Sequence, residues 1–162
     1  DAVYATVTAP GAGFIHGFTY SHSPVGAAVA GEVLRILHDE DLVAASATKG
    51  DRLQGLLRDR LADHPSVGEI RGRGLLVGLE LVADRATRRP YPRAARVTEA
   101  VVAAARADGV LVYSGTGNAD GTSGDTILLG PPFVITEDEL VLVADVVAGA
   151  IDRAVEAVAT SA

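Results

Sequence analysis

The 162-residue chain contains no cysteine, methionine or tryptophan, and a single lysine, Lys49. Without cysteine it can form no disulfide, raise no thiolate nucleophile and offer no sulfur to a metal, a composition that suits a reducing compartment. One lysine leaves no pool from which an amine nucleophile could be drawn. Helical phase puts Lys49 beside the apolar stripe Leu42, Leu53, Leu56 and Leu57, where a long side chain lays its methylenes on the core and carries its ammonium to water. Nothing nearby implies the desolvated pocket that a nucleophilic lysine needs. No run approaches the ~18 apolar residues of a membrane span, and no charged-then-apolar leader comes first, so the expectation is a cytoplasmic protein with no membrane partner. The formal charge of −7, with both signs interspersed, supplies no clustered basic face for nucleic acid. The one dense basic stretch, Arg85 to Arg96 around Pro90-Tyr91-Pro92, reads as a solvated loop or a partner contact.

What is present alternates between helical and extended periods. Ser23 is a natural N-cap and Pro24 sits at the first helical position, where its missing N–H costs nothing, so a helix is predicted to about Leu37. Its small face, Gly26, Ala27, Ala28, Ala30 and Gly31, permits close approach of another backbone and predicts packing between neighbours. A second helix is predicted from about Asp39 to Ala62, opening with acids that suit the helix dipole. From Gly68 to Val82 the period changes to two, the signature of a strand, with a bulge or bend at Gly72 and Gly74. Helical spacing returns from Arg93 to Asp108, and Gly109 is placed to end that helix. Val110-Leu111-Val112-Tyr113 and Thr126-Ile127-Leu128-Leu129 read as short strands joined by a loop rich in Gly, Asn, Asp and Ser. Thr136 and Glu139 form a capping box ahead of a last helix, with Leu140, Val143, Val147, Ile151 and Ala154 on one face. The product is an α+β layer, a small mixed or antiparallel sheet covered by helices, long enough for one core that buries about 70% of the unfolded surface.

Two segments about 110 residues apart carry the chemistry: His16-Gly17-Phe18-Thr19-Tyr20-Ser21, and Gly124-Asp125 through Gly130-Pro131-Pro132-Phe133 to Thr136. A threonine hydroxyl and backbone N–H groups at a helix entrance serve a phosphate dianion well, and Thr19, close to Ser23-Pro24, fits this, although spacing alone favours Thr19 and Ser21 as caps of a turn. His16 and His22 lack the H-E-x-x-H spacing or clustered carboxylates of a metal site and read as turn or surface histidines, so no metal is expected. In the loop Gly115 to Gly124, aligning Asp120 and Gly121 with a calcium loop leaves Thr116 and Ile127 at ligand positions, and calcium is rejected. Walker, dinucleotide and G-x-S-x-G patterns are absent as well, which leaves a flexible surface or active-site-edge loop. Arg71 and Arg73 read as structural partners of Glu69 and Glu80.

From roughly Gly13 to Val158 these segments resemble the C-terminal part of class III aminotransferases, pyridoxal 5'-phosphate enzymes of fold type I. The resemblance implies residues 1–38 as the end of the large cofactor-domain region with its phosphate-contacting segment, and 39–162 as the C-terminal small domain. It implies that Thr19 reaches the cofactor phosphate of the other subunit of a homodimer, with Phe18 beside it. It also implies amino transfer between small-molecule amine and oxo-acid substrates, an aminomutase or decarboxylase of the same superfamily being the neighbouring reading. The lysine that holds the cofactor in the family lies upstream of the stretch matching His16 to Ser21, and Lys49 does not match it, so no catalytic residue is assigned here and the chain alone is expected to be inactive. A truncated, non-enzymatic domain serving dimerisation or partner binding is the competing expectation. Two departures stand out. The family usually has Gly-His-Pro after Thr-Tyr-Ser, where this chain has His22-Ser23-Pro24, and no arginine occurs from Ala107 through Asp152 to hold a substrate carboxylate.

Overall fold

The computed structural model describes residues 1–13 and 17–161. They divide into two compact units, Asp1–Glu40 and Asp41–Ala162. The first holds two helices, α1 (Ala2–Val7) and α2 (Pro24–Asp39). Ser23 caps α2 as the sequence implies: its backbone is extended and its Oγ accepts the Gly26 N–H at 3.1 Å. The packing of α2 between neighbours, expected from its small face, is not seen within the first unit. None of its residues is buried, and Val25, Val29, Val33 and Leu34 are exposed.

The second unit holds α3 (Leu42–Leu61), β1 (Val67–Arg73), β2 (Leu76–Leu81), α4 (Val97–Ala107), β3 (Tyr113–Thr116), β4 (Asp125–Leu129) and α5 (Glu137–Ser161). The four strands form one antiparallel sheet in the order β1-β2-β4-β3. Val77, Leu79 and Leu81 of β2 lie opposite Leu129, Ile127 and Asp125 of β4. Their apolar members join Leu53, Leu57, Val101, Leu140 and Ile151 from the helices in one core, giving an α+β layer.

Gly68 to Val82 is two strands rather than one. The reversal lies at Gly74 and Leu75, with Gly74 at φ 55, where glycine has no Cβ to clash. The bulge sits earlier, between Val67 and Glu69, and it resets the side-chain alternation so that Val67 and Ile70 both turn to the core. It also sets Glu69 opposite Glu80, a like-charge pair that would be unfavourable alone. Arg71 offsets it from 2.9 and 4.0 Å, and Arg88 lies 3.9 Å from both acids. Arg73, expected to act similarly, makes no ion pair among the described residues.

Helix α3 starts at Leu42, three residues later than predicted. Asp39 and Glu40 end α2, and Asp41 turns the chain at φ 50 without a side-chain cap. The acids therefore finish one helix instead of opening the next. Helix α4 ends as Gly109 predicts: the Gly109 N–H reaches Arg106 O at 3.1 Å and the Val110 N–H reaches Ala105 O at 2.9 Å, the paired bonds of a glycine C-terminus. That closure ties Val110 back to the helix, so β3 begins at Tyr113 and not at Val110. At α5 the reciprocal cap forms, with the Thr136 N–H donating to Glu139 Oε2 at 2.8 Å and the Glu139 N–H donating to Thr136 Oγ1 at 3.3 Å. Of the predicted stripe, Leu140, Val147, Ile151 and Ala154 are buried, while Val143 is half-buried.

Ahead of α4, Arg93 donates to both oxygens of Glu99 and holds its carboxyl down to about 2 from an ordinary 4.5. The folded value is depressed, so the contribution is present above about pH 4.5 and is lost as pH falls toward 2. Both side chains are about a third exposed, and solvent screening limits the effect to about 1 kcal/mol. Glu99→Gln is therefore expected to lower stability by about 1 kcal/mol at neutral pH and to match the parent near pH 2, measured by urea unfolding across that range. A constant difference at every pH would reassign the effect to packing.

Candidate functional site

The turn before α2 contains the residues assigned to phosphate. The Ser21 N–H donates to Phe18 O at 2.9 Å, and the Phe18 N–H donates to Ser21 Oγ at 3.1 Å. This closes a four-residue turn with Thr19 and Tyr20 at its two corners. Ser21 Oγ is thereby spent on the turn and Ser23 Oγ on the helix cap. Among the described residues the Thr19 hydroxyl has no partner, so turn capping is the work of Ser21 and not of Thr19. Phe18, Thr19 and Tyr20 are all exposed. The arrangement offers an uncommitted hydroxyl one turn from a 16-residue helix whose N-terminal dipole favours an anion.

His22 sits between the turn and the cap at φ 61. Any L side chain in that left-handed region carries a cost of about 1–2 kcal/mol that glycine does not. The backbone conformation therefore explains why a glycine suits this position, and it is kept here with histidine in place. His16 lies outside the described residues.

The remaining sequence candidates prove structural. Lys49 is half-buried, and its Nζ donates to Phe133 O at 2.7 Å, tying α3 to the segment before α5. Most of the basic stretch is absorbed by acids: Arg88 by Glu69 and Glu80, and Arg93 and Arg96 by Glu99. No group of three or more metal-ligating side chains occurs among the described residues. Among them too, no helix is long and apolar enough to cross a membrane.

The loop between β3 and β4 is internally bonded rather than loose. Asp120 Oδ1 accepts the Ser123 and Thr122 N–H groups at 2.6 and 2.8 Å, which lowers its pKa below the usual carboxylate range. The Ala119 N–H reaches Ser123 O, and Asn118 Nδ2 donates to Thr126 Oγ1, both at 2.9 Å. At its base, the buried Thr98 donates to the buried Asp125 carboxylate. That last contact joins α4 to β4 and leaves no local signature in the sequence.

The helix-covered antiparallel sheet, preceded in the chain by α2 and its turn, is shared with solved transaminases. One from the marine bacterium Virgibacillus matches with a TM-score of 0.82 at 32% identity, covering 95% of this chain and 34% of that one. An amine transaminase from an uncultivated Pseudomonas species, in its pyridoxal-phosphate-bound form, matches at 0.75 and 36% identity over 87% of this chain and 30% of the other. An aminotransferase of Gibberella zeae is 40% identical over 128 residues, which is 78% of this chain and 25% of that protein. The family profile Aminotransferase class-III covers residues 1–151. The chain belongs to the class III aminotransferases, and it spans about a quarter to a third of the length of these relatives.

Proposed function

We propose that this chain is the C-terminal part of a pyridoxal 5'-phosphate-dependent enzyme, a cytoplasmic homodimer that transfers an amino group between an amine or amino acid and an oxo acid. Residues 1–38 close the large cofactor-binding region, and 39–162 form the small domain. The family match over residues 1–151 is the observation that carries this reading. Bound pyridoxal phosphate supplies an electron sink and a carrier for the amino group. This chain's share of the work is binding. The Thr19 hydroxyl, left free by Ser21 and Ser23, donates to the phosphate of the partner subunit's cofactor, and the positive end of α2 adds to the attraction. Phe18 lies beside that phosphate. Lys49, engaged with Phe133 O, takes no part in holding the cofactor, and the anchoring lysine belongs to the upstream part of the protein.

In the complete protein, Thr19→Val is expected to raise the dissociation constant for pyridoxal phosphate about tenfold, whereas Thr19→Ser stays near the parent. Equilibrium dialysis with the cofactor measures both. An unchanged constant in Thr19→Val would remove Thr19 from the phosphate site. A second reading, a cofactor-free domain for dimerisation or partner binding, is favoured by the bare apolar side of α2. Intact mass and absorbance of the natively isolated protein separate the two. A longer polypeptide that carries a borohydride-trapped cofactor supports the enzyme, and a colourless protein of this chain's mass supports the domain.

A further inference from the structure

We propose that the cleft between α3 and the edge strand β1 binds a small dianion of the phosphate-monoester class through Arg58 and Arg85. Both arginines line one cavity of about 220 Å³, whose remaining wall includes Val67, Gly68, Glu69 and Ile70. Among the described residues, ion pairs to carboxylates engage eight of the thirteen arginines, but neither of these two. Arg58 Nη2 donates to Gln54 Oε1 at 3.0 Å and contacts Ile70 O at 3.5 Å. Gln54 is itself buried. These neutral acceptors orient the guanidinium while leaving its charge uncompensated and its Nε and Nη1 without partners among the described residues. The Arg85 guanidinium makes no hydrogen bond or ion pair among the described residues. Glu69, the one acid on the wall, is committed to Arg71 at 2.9 Å and has Arg88 at 3.9 Å.

The cleft therefore presents two solvent-exposed guanidinium groups with no carboxylate partner among the described residues, on a chain whose formal charge is −7. Two guanidinium forks from two different elements can each donate to a tetrahedral dianion, which accepts on several oxygens and balances both charges. A monocarboxylate balances one. The cavity is smaller than the ~300–1,000 Å³ of sites that enclose drug-sized ligands, so it takes a free ion, or a terminal phosphate whose carrier stays in solvent. The site stands independently of the amino-transfer reading, because none of its residues is assigned a part in that chemistry.

The test is a titration of the isotopically labelled 162-residue chain with inorganic phosphate, read by amide and arginine Nε resonances. Chloride and acetate at matched ionic strength are the comparisons, at a pH where phosphate is dianionic. Saturable shifts confined to Val67–Ile70, Arg58 and Arg85 are expected with phosphate alone. Arg58→Gln and Arg85→Gln should each weaken binding by at least about tenfold. Arg89→Gln, at another exposed arginine with no ion pair among the described residues and outside the cavity, should leave binding unchanged. Shifts equal to those of chloride, or affinities untouched by both cavity variants, would overturn the site, and acetate matching phosphate would overturn the dianion assignment. If Arg58→Gln disturbs the amide spectrum elsewhere, the exposed Arg85 decides the question.

Discussion

Gly50→Ala is expected to destabilise the Asp41–Ala162 unit by about 3 kcal/mol. Gly50 lies buried on α3, where the helix crosses the hairpin reversal. A Cβ there would stand 2.0 Å from Gly74 O, 2.1 Å from its carbonyl carbon and 2.6 Å from its Cα. All three are backbone atoms, so no rotamer relieves the overlap, and either the helix or the hairpin must withdraw. Withdrawal also stretches the hydrogen bond from the Leu75 N–H to Ser46 Oγ, now 3.3 Å. Alanine's better helix propensity returns only about 1 kcal/mol. Gly55, on the same helix, has nothing within 4 Å of the corresponding position, so Gly55→Ala should stabilise by up to about 1 kcal/mol. Urea midpoints with unchanged slopes measure both. The same sign for the two substitutions would contradict the close approach of Gly50 to Gly74.

Ile151→Ala is expected to cost about 2–5 kcal/mol. Ile151 is fully buried on α5 and belongs to the core cluster shared by α3, α4 and the sheet. Deleting its outer carbons removes their transfer free energy and leaves a cavity that close-packed neighbours fill only in part. Leu142, nine residues earlier on the same helix, is half exposed at 53%, and Leu142→Ala should stay within about 0.5 kcal/mol of the parent. The pair tests burial itself, since both replace a large aliphatic residue by alanine in one helix. Equal losses in thermal or urea unfolding would place the α5 face wrongly.

Elements fixed by bonds three or four residues apart were legible in the chain. Ser23 with Gly26, and Thr136 with Glu139, form the caps that their spacing announces. Gly109 ends α4 for the same local reason. The hairpin between β1 and β2 is hidden in the sequence because Leu75, one of its two turn residues, is buried. Leu75, only 3% exposed, gives the turn the apolar composition of a strand, whereas turn signals assume a reversal in water. The strand composition of Val110 to Val112 predicts β3 three residues too early, because these residues follow directly from the glycine closure of α4.

The turn before α2 divides along the same line. Residue types and order pick out Thr19, Ser21 and Ser23, but which hydroxyl is spent and which is left depends on how the turn closes. The cleft of Arg58 and Arg85 had no sequence signature at all. One arginine is on α3 and the other follows β2, and only the folding of β1 between them brings both to one cavity.

The sequence by itself determined the family, the helix caps, the aliphatic core and the lack of a spare lysine, because each is written in residue identity or short spacing. Tertiary structure alone decided the antiparallel order β1-β2-β4-β3, the contact of Gly50 with Gly74, the Thr98–Asp125 bond and which arginines remain without acids. Those outcomes depend on groups tens of residues apart, whose meeting is set by the burial of a common core and not by any local preference of the chain.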